Sequence, residues 1–380
     1  STHNLSNDSV DEPPISSIGP YPNQWLINRV HAIVHFTQNV EFIYTMQLKP
    51  IGRSGLIGST LTLGTMIFGE QSNRSTPEKE AIEIINHYLE AGGNHIDTAD
   101  VYAQGRSEEI VGKALEGRRQ EVIIATKVRF PTGQGPNQQG LSRHHITEGV
   151  HQSLRRLKSD YIDLLYVHCW DPITPLTETL RTLEDLIRSG KVRYIGISNF
   201  KAWQLMKAQG LCDQFHLNRF IAAQYQYSLV KRDIEYEFFD LMEAEGLGLL
   251  PWGPLGGGFL TGKYQREQPT TGRISTTADH TEESWDRRNT EQNWAILDLV
   301  KQLAEKHQAS PTQIAIAWIL SKKIVASVIL GVRTLAQLQD NLAAQAVQLS
   351  SDEIASLDTI SALPEWYPYR MIEAYGQRTY

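Results

Sequence analysis

Eight short apolar runs, each separated from the next by an amphipathic stretch, constrain the fold more than any other feature of this sequence. The runs are mostly continuous in apolar character, as expected for parallel strands that are buried on both faces. They occupy residues 61–66, 95–99, 122–128, 162–168, 192–198, 222–228, 247–253 and 327–332. Eight strands alternating with helices predict an α/β fold, the (β/α)8 TIM barrel. An open doubly wound sheet is the alternative, but its glycine fingerprint after the first strand is missing.

Three segments around these runs carry further predictions. The stretch 48–61 predicts a β-hairpin that turns at Arg53–Gly55 and, in a barrel, would plug the N-terminal end. Residues 76–93 predict a helix that has Thr76 as its N-cap. The polar residues 265–290 predict a long loop between the seventh and eighth strands. Such a loop could serve as a mobile flap.

Residues 1–45 differ from the rest of the chain. They begin with a polar segment rich in Ser, Asn and Pro, a composition typical of disordered regions. They lack the basic start, clean apolar centre and small-residue cleavage site of a signal peptide. We therefore predict a poorly ordered N-terminal extension at 1–45 and a barrel domain at 46–380.

Charge and composition argue against several classes of protein. The net charge of −7 and the pI of about 6.0 give no basic footprint for nucleic acid. No run of about 18 apolar residues is present, so no membrane span is predicted. Cys169 and Cys212 are too few for a disulfide scaffold and lack metal-site spacing. We therefore expect a cytoplasmic protein with no metal site.

Four polar residues follow the apolar runs at the positions where predicted strands end. Asp97 and Tyr102 follow the start of the second strand, Lys127 ends the third and His168 ends the fourth. The carboxyl ends of barrel strands meet at one mouth, so these side chains should lie together. A carboxylate or an ammonium there is costly without a partner, which makes Lys127 the expected partner of Asp97.

Each of these four residues also has an ordinary structural interpretation. Asp97 could cap a helix, Tyr102 could be a packing or surface residue, and His168 could be a satisfied core histidine. Lys127 fits a structural role least, because a lysine behind a buried run is rarely left unpaired. Chance is a poor explanation for four such residues at matching ends of adjacent strands.

The stretches that carry these residues resemble the aldo-keto reductase family. The resemblance begins with "IDTADVYAQGRSEEIVGKAL" and continues through "IIATKV", "DLLYVHCWDP", "IGISNF", "AAQYQYSLV", "PWGPLGGGFLTGKY" and "GVRTLAQLQDNLAA", in order, over about residues 46–370. It implies a (β/α)8 barrel that reduces carbonyl compounds with NADP(H), NAD(H) being the alternative. It also implies a catalytic tetrad of Asp97, Tyr102, Lys127 and His168.

The chemistry of such a reduction suits these residue types. Hydride addition to a carbonyl leaves an alkoxide that needs a proton, and Tyr102 would be the general acid. The Lys127 ammonium would lower the tyrosine pKa, while Asp97 would hold that ammonium in place and charged. A neutral His168 would orient the carbonyl oxygen and stabilise its developing charge.

The resemblance also implies a set of cofactor-binding residues. Ser198, Asn199 and Gln224 would bind the nicotinamide carboxamide, and Trp252 would stack on the ring where other members often have Tyr. The remaining expected contacts are Gly253, Leu255, Gly331, Arg333, Gln337 and Asn341. From the residues alone, Asn199 could instead be an N-cap, and Thr334 with Gln337 could form a capping box.

Two departures bear on the cofactor. Other family members carry Pro-Lys-Ser where this chain has Leu330–Val332, which leaves the choice between NADP(H) and NAD(H) open. "GGFLTGKY" resembles a phosphate-binding P-loop, but Tyr264 stands where that motif needs Ser or Thr. The stretch is better interpreted as a glycine-rich loop near a dinucleotide pyrophosphate.

The substrate and the biological role are less constrained. Phe68, Arg129, Phe130 and Trp170 flank strand ends and are the expected walls of a substrate pocket. The expected partner is a small carbonyl or alcohol substrate, and the oligomeric state is not predicted. Potassium-channel β subunits are similar in fold and tetrad, so a binding and redox-sensing protein with slow turnover is the alternative function.

Overall fold

The computed structural model describes residues 46–69, 75–267 and 272–376, so the predicted extension at 1–45 lies outside the described residues. A short antiparallel hairpin precedes an eight-stranded parallel sheet. The hairpin strands are β1 (Leu48–Pro50) and β2 (Ile57–Ser59). The sheet strands are β3 (Leu61–Gly64), β4 (His95–Asp97), β5 (Ile123–Val128), β6 (Ile162–Val167), β7 (Val192–Ser198), β8 (Ala222–Gln224), β9 (Gly248–Leu249) and β10 (Val328–Gly331).

Helices follow the strands, as the alternating pattern predicts. They are α1 (Glu78–Glu90), α2 (Arg106–Ala114), α3 (Arg143–Arg156), α4 (Leu176–Arg188), α5 (Ala202–Gln214), α6 (Phe238–Glu245), α7 (Arg273–Thr276), α8 (Trp285–Arg288), α9 (Glu291–His307), α10 (Pro311–Leu320), α11 (Leu335–Leu342), α12 (Ser351–Ile360) and α13 (Tyr369–Tyr375). The connection between β9 and β10 is long, as expected, and its described part contains the short helices α7 and α8.

The sheet closes on itself. Its strand order is β10-β3-β4-β5-β6-β7-β8-β9, with neighbouring strands parallel. The backbone N–H of Ala326 donates to Leu249 O at 2.8 Å, and the N–H of Ile329 donates to Pro251 O at 3.0 Å, which joins the two ends. The predicted (β/α)8 barrel is therefore confirmed.

The hairpin covers the N-terminal end of the barrel. Ile51, in its turn, is fully buried in the inner core cluster with strand residues such as Ala125 and Leu164. Gly52 lies directly against the backbone, because an added Cβ there would be 2.3 Å from Ile221 O. Arg53 N donates to Gly246 O at 2.7 Å, just before β9. The hairpin thus packs where the sequence predicts.

Two local predictions need correction. The sixth and seventh strands are shorter than the predicted 222–228 and 247–253: β8 ends at Gln224 and β9 at Leu249, although Trp252 still pairs with Gln226 in an isolated bridge. Thr76 does not cap α1: the residue before the helix is Pro77, and the Thr76 hydroxyl instead donates to Arg333 O at 3.1 Å. Thr76 therefore connects the start of α1 to the segment after β10.

Candidate active site

The four residues of the expected tetrad meet at the carboxyl end of the barrel. Asp97 is the last residue of β4, Lys127 lies near the end of β5, and His168 comes directly after β6. Tyr102 begins a 3₁₀ turn after β4, where Ala103 and Gln104 have left-handed backbone angles. The strand ends and this tight turn bring the four side chains to one place, as the sequence predicts.

Lys127 is the centre of this group. Its ammonium is fully buried and donates to Asp97 Oδ1 at 2.5 Å, to Thr98 O at 2.7 Å and to the Tyr102 hydroxyl at 3.2 Å. Burial disfavours its charge, but Asp97 and then Tyr102 outweigh this effect, and the pKa of Lys127 is raised. Lys127 is thus held as a cation beside the tyrosine oxygen.

The net shift of Tyr102 differs from the expectation. Burial raises the pKa of Tyr102, Lys127 opposes this shift, and Asp97 adds to it, so the pKa lies above its usual value. Lys127 does lower the pKa of Tyr102, as expected, but by less than burial raises it. Removal from water destabilises the phenolate more than the one nearby ammonium stabilises it. Tyr102 is therefore a protonated phenol that can donate a hydrogen bond or a proton.

His168 faces the same mouth as a neutral imidazole. Burial, followed by the positive charges of Lys127 and Arg129, holds the pKa of His168 well below its usual value. Its ring centroid is 6.0 Å from that of Tyr102, in an edge-on arrangement. Its Nδ1 atom is buried with no hydrogen-bond partner among the described residues. The ring can serve as a neutral hydrogen-bonding group next to the tyrosine.

The three residues expected to bind a carboxamide form one hydrogen-bonded chain. Asn199 Nδ2 donates to Ser198 Oγ at 2.9 Å and to His168 O at 2.8 Å, while Ser198 Oγ donates to Gln224 O. Gln224 Nε2 donates to Asp97 Oδ2 at 2.8 Å, a contact that the sequence does not predict. Asn199 is not an N-cap, because Lys201 occupies that position of α5.

The predicted stacking residue and glycine-rich loop lie on the opposite side of the barrel mouth. Trp252 is partly exposed and packs against the inner core cluster. Gly253 and the three glycines 256–258 have positive φ angles, which glycine adopts without strain. Leu255, between them, is partly buried against the outer core. An added Cβ at the glycines 256–258 would collide with Val230, Ile274 and Lys263, so the loop packs closely against other side chains of the protein.

The expected adenosine-binding residues lie after β10. Gly331 ends the strand, and an added Cβ there would meet nothing within 4 Å, so the space next to it is open. Thr334 caps α11 by accepting the N–H of Gln337 at 3.3 Å, whereas Gln337 Oε1 accepts from Arg333 N at 2.8 Å. The capping box is therefore shifted by one residue. Asn341 is buried on the same helix.

Lys263 is a second cation on this side that sequence reasoning did not select. Desolvation lowers the pKa of Lys263, and the positive charge of Arg333 lowers it further. The signal for it in the sequence is the glycine-lysine pair of "GGFLTGKY", the stretch that resembles a P-loop. Both cations are exposed, and the Lys263 side chain lies beside Gly258 of the glycine-rich loop.

The expected substrate walls divide into two groups. Phe68 has no exposed surface and belongs to the outer core cluster, so its ring does not line the mouth. Phe130 lies edge-on to His168, with ring centroids 4.7 Å apart. Trp170 contacts Phe200 at 5.1 Å and Trp203 at 6.2 Å between centroids. Phe200 and Trp203 were not predicted as part of the site, although both come shortly after the end of β7 in the sequence.

Comparison with known proteins agrees with this geometry. The family model described as "Aldo/keto reductase family" matches residues 60–362. A probable voltage-gated potassium channel subunit beta from Arabidopsis thaliana is 38% identical, over 79% of this chain and 91% of that protein. The uncharacterized oxidoreductase YrpG of Bacillus subtilis is 37% identical, over 83% and 96%. Versiconal hemiacetal acetate reductase of Aspergillus parasiticus is 35% identical, over 82% and 96%.

Fold and reductase-named relatives together support an oxidoreductase built on a (β/α)8 barrel. The chain belongs to the aldo/keto reductase family. Within the described part of the chain, no helix is long and apolar enough to cross a membrane. The described residues also contain no group of three or more His, Cys, Asp or Glu side chains suited to a metal ion.

Proposed function

We propose that this protein is an NADPH-dependent reductase that converts small aldehydes or ketones to alcohols, with Tyr102 as the general acid. The observation that carries the proposal is the buried Lys127 ammonium, held by Asp97 and hydrogen-bonded to the Tyr102 hydroxyl. A reduced nicotinamide supplies the hydride when it is bound. The chain's own residues must then position the carbonyl and deliver one proton.

Each residue of the site has a distinct part in this proposal. A carbonyl oxygen between Tyr102 and His168 accepts hydrogen bonds from both, which favours the negative charge that develops on it. Tyr102 gives its proton to that oxygen, and the Lys127 cation stabilises the phenolate that remains. Asp97 keeps Lys127 in place, and Gln224 binds the second oxygen of Asp97. After the alcohol product leaves, a proton from solvent restores the phenol of Tyr102.

The residues around the mouth fit a dinucleotide. Lys263 and Arg333 repel each other, and a phosphate between or beside them would relieve that repulsion. The positive-φ glycines 256–258 allow a close approach of the backbone, as phosphate-binding loops require. Arg333 also begins the segment that leads into α11, whose N-terminus attracts anions. NADPH, with its additional 2′-phosphate, uses these positive charges more fully than NADH.

The proposal is tested by steady-state turnover of NADPH with a panel of aliphatic, sugar and aromatic aldehydes and ketones. Rapid multiple turnover with at least one carbonyl, above the rate without substrate, is the expected result. No turnover with any carbonyl at saturating NADPH would contradict the proposal. We place the reaction in the cytoplasm, since both cysteines, Cys169 and Cys212, are free thiols.

A second candidate function has specific support. Relatives from Arabidopsis thaliana and Oryza sativa, 38% and 37% identical, are named as probable voltage-gated potassium channel subunits beta. A protein of that kind would bind a channel and use the same site for slow redox sensing. The net charge of −7 argues mildly against it. A single slow turnover together with measurable binding to a potassium channel would favour this function over the reductase.

A further inference from the structure

Arg129 lies next to the proposed reaction centre without taking part in the tetrad. It comes directly after β5, and its carbonyl accepts the N–H of Gly140 at 2.8 Å. Its guanidinium carbon is 5.3 Å from the ring centroid of Phe130, and the same ring is 4.7 Å from that of His168. Phe130 therefore lies in contact range of both the cation and the imidazole. The charge of Arg129 also contributes to the lowered pKa of His168.

Arg129 has no counter-ion among the described residues. Its Nε atom is buried and has no hydrogen-bond partner there. The charge of Arg129 also acts on His145, and burial is the first cause of the lowered pKa of this second imidazole. Asp171 is near this segment, but its oxygens already accept from Leu141 N, Ile173 N and the Thr174 hydroxyl. A guanidinium with a buried, unpartnered Nε and no counter-ion among the described residues is suited to an anion supplied from outside the chain.

The chemistry of arginine indicates which class of anion would bind there. A guanidinium is planar and binds a carboxylate through two parallel hydrogen bonds, and the Arg129 guanidinium lies beside the Phe130 ring. Phe130 lies between His168 and Arg129, so a substituent that extends along the Phe130 ring from a carbonyl at His168 leads toward Arg129. A carboxylate on that substituent, a few bonds from the carbonyl carbon, would reach Arg129.

We propose that Arg129 makes this reductase selective for carbonyl substrates that carry a carboxylate. The inference rests on the proposed function, because it names the substrate class of the same site. Arg129 is a specificity-determining residue in this proposal and leaves the proton-donating step to Tyr102. Neutral carbonyl compounds of the same shape would be reduced through the same tetrad, but less efficiently.

The test uses the NADPH-loaded full chain and two matched substrates, 4-carboxybenzaldehyde and its methyl ester, which differ mainly in the negative charge. The wild-type protein should prefer the acid in kcat/KM by about ten- to a hundredfold, the range expected for a charge-assisted pair. Arg129→Gln should remove this preference by lowering kcat/KM for the acid much more than for the ester. Arg129→Lys, which keeps the charge but loses the planar pair, should retain part of the preference.

The outcomes separate this inference from the function on which it rests. If the wild-type protein reduces acid and ester equally, or if Arg129→Gln lowers both equally, the inference is overturned while the reductase function stands. If neither substrate nor any other carbonyl is reduced, the function and the inference fall together. NADPH binding by each variant checks that it is folded, and the wild-type comparison of acid with ester needs no variant.

Discussion

The ammonium of Lys127 lies 3.2 Å from the hydroxyl oxygen of Tyr102, inside a barrel end where the lysine has no exposed surface. A cation in that place stabilises a phenolate more than it would in water, because the surroundings screen the charge less. Burial acts in the opposite direction and keeps the pKa of Tyr102 raised. Tyr102 is therefore protonated before the reaction, and Lys127 lowers the free energy needed to transfer that proton to a substrate.

Removing the charge of Asp97 should destabilise the fold. Asp97→Asn leaves the buried Lys127 ammonium without its counter-ion, which typically costs about 3–5 kcal/mol of unfolding free energy. Chemical denaturation of both proteins measures this loss. Asp185→Asn is the matched control, because Asp185 pairs with Arg143 on the exposed surface and should change stability little. Equal effects of the two substitutions would mean that the buried pair is not a structural ion pair.

Asp100 should make stability depend on pH. Burial raises the pKa of Asp100 to about 8; Glu108 adds to this shift, whereas Arg156, the backbone N–H of Val101 and Lys127 oppose it. The folded protein thus keeps a proton that the unfolded chain loses near its ordinary pKa of about 4. Its contribution to stability falls as the pH rises from about 4 to about 8 and is then constant.

The neutral variant Asp100→Asn should remove this contribution. Unfolding free energies of wild type and variant, measured between about pH 4 and pH 9, should diverge with rising pH in favour of the variant. The pH at which the divergence levels off reports the folded-state pKa of about 8. Parallel curves across this range would show that Asp100 is ionised in the folded protein.

Deleting residues 1–45 should leave a folded and active protein. The described residues from Met46 onward already contain the hairpin and all eight sheet strands. Thermal unfolding of the truncated chain should match that of the full chain, and NADPH turnover should be kept. A large drop in melting temperature would mean that the extension packs on the barrel.

Arg333 tests the choice of cofactor. If it contacts the 2′-phosphate, Arg333→Ala should weaken NADPH binding by about one to two decades, the size of a charge-assisted bond. NADH lacks that phosphate, so its affinity should change much less. Fluorescence titration of both cofactors with both proteins measures the difference. Equal losses would assign Arg333 to the adenine or to the support of α11 and would remove the main argument for NADPH.

The fold and the meeting of Asp97, Tyr102, Lys127 and His168 at one end of the barrel could be predicted from the sequence because both depend on regular patterns. Buried parallel strands show as apolar runs, and the polar residue that ends each run marks the barrel mouth. The sign of the Tyr102 pKa shift could not be predicted, since it depends on how much water the fold removes. The contact of Thr76 with Arg333 spans 257 positions in the sequence, and that of Gln224 with Asp97 spans 127 positions. No local sequence pattern indicates contacts over such separations.

The proton-donating role of Tyr102 is the central claim, and Tyr102→Phe tests it most directly. The substitution removes one oxygen and its proton but hardly alters the space around the nicotinamide site. Single-turnover reduction of a carbonyl by the NADPH-loaded protein should slow by about 10²–10⁴-fold, while NADPH affinity stays nearly constant. Tyr367→Phe, at an exposed tyrosine, should change neither quantity. A Tyr102→Phe protein that kept most of its single-turnover rate would contradict the account.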